Sequence, residues 1–193
     1  MRRRTFAPAL CLFILCFLAV SCSGPGRDAL LKDISADASA GSYIKGVPFF
    51  PQNEYMCGPA ALASVMGYWG GKAGMKDVAK EVYEEKLKGT LPLDLFLYAR
   101  EKGFDAVYYK GSLADLKEKI DGGTPLILFL NLGYETYPVG HYIVAVGYSE
   151  RSRAVMAHSG TTEEEVFTYD DLLRSWGKTG FSTLLVRPGG PSR

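Results

Sequence analysis

The sequence predicts an α+β domain, with N-terminal helices packed on an antiparallel β-sheet. Three observations carry that reading. Between residues 58 and 120 apolar side chains recur three and four apart, the spacing of helix faces. From residue 125 onward the apolar runs are short and rich in Val, Ile and Leu, the signature of strands. A polar turn, Glu150-Arg151-Ser152-Arg153, joins two of those runs as a hairpin.

The elements follow in order. Val47-Pro48-Phe49-Phe50-Pro51-Gln52 reads as extended chain, because each proline disfavours helix in the residue before it. A helix follows over 58–69: Pro59 suits a first turn, the alanines favour helix, and Leu62, Val65, Met66 and Trp69 share a face. Cys57 therefore stands at or just before a helix start. Two further helices are predicted over 75–87 and 92–102, and a strand over 104–110. Ser112 caps a helix running to Ile120, which Gly122 and Gly123 stop. Strands are predicted over 126–130, 141–148, 154–158 and 182–186, with a short helix over 170–176.

The first residues stand apart from this fold. Met1 to Arg4 is basic, the run from Phe6 to Val20 is apolar, and small residues precede Cys22. That pattern suits a signal peptide over 1–21. It resembles the bacterial lipobox, in which the peptide is cut before the cysteine and the new terminus carries lipid, although Ala19 stands where Leu is usual. Ser23 after the cysteine, not Asp, favours the outer membrane, facing the periplasm. Residues 22–43, rich in Gly, Ala, Ser and Asp, read as a flexible tether, 44–188 as the domain and 189–193 as a tail.

About 170 residues remain after the leader, one domain's worth. The chain's 22 basic residues less the three leader arginines leave 19, against 21 acidic ones. No basic stripe marks a nucleic-acid partner, and Glu163-Glu164-Glu165 reads as a solvated charge run. No metal, phosphate-loop or nucleotide motif is present, so no cofactor is expected.

Cys11 and Cys16 belong to the leader and Cys22 to the lipobox, which makes Cys57 the one thiol of the mature domain. A helix N-terminus lowers a thiol's pKa while leaving the sulfur accessible, so a thiolate well below its ordinary range is expected there. A nucleophile needs a base, and the sequence offers two histidines. His141 opens an apolar strand after Tyr137-Pro138-Val139-Gly140, and His158 closes another. His141 is the candidate base.

Pro51-Gln52, four residues, then Cys57-Gly58-Pro59-Ala60-Ala61-Leu62 resembles the active-site opening of the bacteriocin-processing C39 peptidases and their secreted relatives. His141-Tyr142-Ile143-Val144-Ala145-Val146-Gly147-Tyr148 resembles that family's histidine strand. The resemblance implies a papain-like cysteine peptidase fold, with Cys57 as nucleophile, His141 as general base and then acid, and Gln52 as oxyanion donor. A neutral amide suits the last role, since it donates without titrating. The bacteriocin processors carry Asp after the histidine strand; here the stretch reads Ala157-His158-Ser159-Gly160-Thr161, with no carboxylate. His158 is the first candidate for the orienting place, then Ser159 or Asn131. The expected function is an exported, lipid-anchored peptidase acting on a peptide or protein. The alternative is a catalytically weak or inactive peptide-binding module in the cell envelope.

Overall fold

The computed structural model describes residues 25–52 and 55–190. The leader and Cys22 lie outside the described residues, and among those described no helix is long and apolar enough to cross a membrane.

The chain enters through α1 (Arg27–Ala36), one turn of 3-10 helix and β1 (Gly41–Tyr43). This corrects the flexible tether expected over 22–43. Leu30, Leu31 and Ile34 form an apolar stripe, and Leu30 is fully buried in the main core. Asp33 accepts hydrogen bonds from Ser149 and Ser152, which ties the polar side of α1 down as well.

α2 (Cys57–Tyr68) is buried from Gly58 to Met66. A helix apolar on every side belongs in the middle of a protein, and α2 lies between the sheet and α3 (Met75–Val82) with α4 (Pro92–Glu101). α3 is shorter than predicted: the backbone turns extended at Tyr83, and Glu84 pairs with Gly89 around Lys88, whose φ is +48°. β2 (Phe104–Lys110) and α5 (Leu113–Asp121) follow. Ser112 caps α5 by accepting from the Asp115 N–H, as its sequence suggested.

β3 (Leu126–Asn131), β4 (Gly140–Ser149), β5 (Ala154–Ser159), β6 (Thr162–Thr168), α6 (Tyr169–Gly177) and β7 (Ser182–Pro188) complete the chain. The sheet order is β2-β7-β3-β4-β5-β6, with β1 added alongside β4, and every pairing is antiparallel. This is the α+β architecture the sequence predicts.

β1 and β6 were not foreseen. β6 runs through the supposed solvated stretch, and Glu164 is buried, at 6 % exposure. Its carboxylate accepts from the Tyr43 hydroxyl and from Arg27, so the charge is paired and hydrogen-bonded rather than solvated. One irregularity bears on the site. Between Ala145 and Gly147 the β4–β5 ladder slips by one residue, a β-bulge that makes Val146 the extra residue.

Candidate active site

Cys57 is the first residue of α2, and among the described residues no side chain caps that helix end. Its free N–H groups carry the positive end of the helix dipole beside the sulfur. Gly58 is required for space: a Cβ there would meet the Thr90 Cβ at 2.9 Å. Thr90 is fixed in turn, its carbonyl accepting from the Tyr142 hydroxyl at 3.0 Å. The Cys-Gly pair thus lets the helix start press against the far wall of a groove.

That groove has a volume of about 730 Å³, and Gln52, Cys57 and His141 all line it. Its lining is largely apolar and includes Leu87, Leu91, Pro138 and Val139. His141 is the second residue of β4, paired with Leu130 of β3, so the strand start sets it at the groove. Gln52 is held by its own N–H, which donates to the Gly160 carbonyl at 3.1 Å. Its side-chain amide has no hydrogen-bond partner among the described residues and remains available to a ligand. The structure therefore brings three of the expected residues to one groove, although Cys57 and His141 are not hydrogen-bonded to each other.

The fourth expectation, His158 as the residue that orients His141, is corrected. The group on the His141 ring is the Ser159 hydroxyl, 3.1 Å from Nε2. His158 pairs with Val144, so its side chain lies on the Val144 face of the sheet. His141 is three residues from Val144 and points to the opposite face, the one Ser159 shares, because side chains alternate along a strand. Both His158 nitrogens are used elsewhere: Nε2 meets the Val47 carbonyl at 3.0 Å, and Nδ1 accepts from the Glu164 N–H at 3.3 Å. Asn131 is also occupied, its Oδ1 accepting from the N–H groups of Gly133 and Val139 at 2.9 Å each. It shapes the turn before His141 rather than touching the ring.

The electrostatics depart from the expected thiolate. Burial pushes the Cys57 thiol up, offset in part by the N–H groups of Tyr142, Gly58 and Cys57 itself. Burial likewise holds His141 below its ordinary value, and the charge of Glu165 opposes this only in part. Both shifts favour the uncharged form, since desolvation penalises the ion in either case. With Nε2 engaged by Ser159, Nδ1 is the nitrogen left to act as base.

Comparison with known proteins places this geometry. A family model described as the Peptidase C39 like family matches residues 44–184. The chain belongs to that family. Solved structures show the same papain-like fold at low sequence identity. A C39-like peptidase from Bacillus anthracis is 17 % identical with a TM-score of 0.62, covering 79 % of this chain and 99 % of its own. The peptidase domain of Streptococcus ComA, a bifunctional ABC transporter of a quorum-sensing pathway, is 21 % identical with a TM-score of 0.61, covering 74 % and 99 %. A double-glycine-motif protease from an AMS/PCAT transporter, solved with its leader peptide, is 22 % identical with a TM-score of 0.60, covering 76 % and 94 %. No curated protein matches the sequence. Membership of the C39-like family supports a peptidase of cysteine type.

Proposed function

We propose that this protein is an exported, lipid-anchored cysteine peptidase that cleaves a peptide bond through an acyl-enzyme. The observation that carries the reading is one groove lined together by a free cysteine at a helix start, a histidine at a strand start and a glutamine whose amide has no partner among the described residues. His141 Nδ1 takes the proton from the Cys57 sulfur as the sulfur bonds to the substrate carbonyl carbon. The carbonyl oxygen becomes an oxyanion and receives hydrogen bonds from the Gln52 amide and from N–H groups at the start of α2. The imidazolium then protonates the departing amine as the C–N bond breaks. Water, deprotonated by the same nitrogen, attacks the thioester and frees the acid and the thiol.

The test is turnover of a peptide library by the mature domain, with products identified by mass. Cleavage that vanishes in Cys57→Ala supports the reading, and cleavage that survives it excludes a Cys57 nucleophile. Anchoring rests on the lipobox-like stretch before Cys22. Cys22→Ser then blocks lipid labelling and releases the protein from the outer-membrane fraction.

A second reading draws support from Ser159: the group on the His141 ring is a hydroxyl, in a stretch without the carboxylate that the bacteriocin processors carry. With a hydroxyl rather than a carboxylate on the base, the groove could hold a peptide without cutting it. Peptides that bind wild type and Cys57→Ala equally, and leave uncleaved, are the result that favours this module.

A further inference from the structure

Two consecutive residues of β5 face opposite sides of the sheet, and the site uses both. Ser159 meets the base, as described above. His158, on the other face, meets the chain that carries Gln52.

Residues 47–52 run from Val47 to Gln52 without helix or strand. Among the described residues, two hydrogen bonds tie this segment to the rest of the protein. One joins the Val47 carbonyl to His158 Nε2 at 3.0 Å, and the other runs from the Gln52 N–H to the Gly160 carbonyl at 3.1 Å. Both partners belong to the end of β5 and its turn. Between the two anchors, Pro48 and Pro51 stiffen the chain, so a shift at Val47 is passed along rather than absorbed. Phe49 packs its ring 5.4 Å from the His158 ring, which closes the space around the first anchor.

The tautomer follows from the partners. Nδ1 accepts from the Glu164 N–H, so the ring proton sits on Nε2 and donates to Val47. Glu164 is itself immobilised by Tyr43 and Arg27. His158 is 6 % exposed, and among the described residues neither nitrogen has another hydrogen-bond partner.

We propose that His158 is a positioning residue for the oxyanion site: through Val47 it holds the 47–52 segment so that the Gln52 amide faces the groove beside Cys57. This rests on the peptidase reading, because it assigns Gln52 its role there. His158 acts on the donor, not on the base, and so affects the step in which charge develops more than the binding of substrate.

The experiment uses two polar replacements in the mature protein. His158→Gln can still place an amide N–H near the Nε2 position, whereas His158→Asn is too short to reach Val47. Displacing one oxyanion donor costs about 100-fold in rate, so His158→Asn is expected to lower kcat by about 10- to 100-fold with KM nearly unchanged. His158→Gln is expected to stay within about fivefold of wild type. Made again in a Gln52→Ala background, the two replacements should give equal kcat, because the residue they act through is gone. A loss for His158→Asn that is as large in the Gln52→Ala background as alone would overturn the proposal, as would an unchanged kcat. If wild type turns over no peptide, the peptidase reading fails and the anchor is judged by NMR. The Gln52 and Gly160 amide resonances then move in His158→Asn and stay in place in His158→Gln if His158 holds the segment; resonances unmoved in both remove the anchor itself.

Discussion

Replacing Ser159 tests the base most directly, because the structure predicts opposite signs for two substitutions at one atom. The Ser159 hydroxyl is the partner of His141 Nε2, at 3.1 Å. A neutral hydrogen bond of this kind contributes about 1 kcal/mol net, which converts to about fivefold in the population of correctly oriented ring. Ser159→Ala is therefore expected to lower kcat/KM by about three- to tenfold. A hydroxyl can donate or accept, so it tolerates either tautomer of His141. A carboxylate only accepts; it forces the proton onto Nε2 and leaves Nδ1 free to act as base. Ser159→Asp should accordingly raise kcat/KM above wild type at pH 8. A negative charge against the ring also raises the His141 pKa, from a value that burial now holds below its ordinary one. The acid limb of the pH–rate profile then moves to higher pH, and Ser159→Asp falls behind wild type at the acid end of the range. The assay is kcat/KM on one cleavable peptide from pH 4.5 to 9.5 for all three proteins. Profiles that superpose in wild type, Ser159→Ala and Ser159→Asp would falsify the assignment. A loss of a thousandfold or more in Ser159→Ala would equally refute it, since one neutral hydrogen bond cannot account for that.

Three further outcomes are expected. Alkylation of Cys57 should accelerate with a midpoint above about pH 8.5, because burial raises the thiol; fast, pH-independent labelling between pH 6 and 8 would show a preformed thiolate instead. Both burial shifts also contribute to folding stability. The folded state disfavours imidazolium at His141 and thiolate at Cys57, so their contributions are complete between about pH 6.5 and 8.5. That stability is lost as pH falls below this window through the lowered His141 value, or rises above it through the raised Cys57 value, readable as paired shifts of the urea midpoint in His141→Gln and Cys57→Ser. Finally, Leu30→Ala should cost about 3 kcal/mol in urea unfolding, since Leu30 is 0 % exposed; a loss under about 1 kcal/mol would return α1 to the tether.

The legible parts of this molecule were those whose chemistry is local. The start of α2 is marked by Cys57-Gly58-Pro59, and the start of β4 by the glycine and apolar run around His141, so both were placed from sequence within a residue or two. α1 was hidden by composition: a stretch rich in Ala, Ser and Asp reads as linker, and its three apolar residues matter only because the sheet is there to receive them. Glu164 was hidden in the same way. A run of three glutamates looks solvated until Tyr43 and Arg27, more than a hundred residues earlier, are brought against the middle one.

The choice between His158 and Ser159 has the same origin as the missed N-terminal strand. Counting back from the 150–153 turn, Ser149 faces Ala154, Tyr148 faces Val155 and Gly147 faces Met156. An unbroken ladder would continue to set His158 opposite Ala145, which shares a face with His141 because the two are four apart in one strand. On that register the histidine would share the base's face of the sheet, and Ser159 would not. The observed ladder instead pairs Ala145 with Ala157 and Val144 with His158. One extra residue in β4 has moved every β5 side chain beyond it to the other face. The extra residue is Val146, and nothing in Val144-Ala145-Val146-Gly147 marks it as such. Its carbonyl is satisfied by the Ile44 N–H at 2.8 Å, directly after β1 has paired with Gly147, Tyr148 and Ser149. β1, inside the segment that reads as tether, thus leads the Ile44 N–H to the bulge, and the bulge decides that a hydroxyl shares the face of the base while the imidazole turns to the chain carrying Gln52.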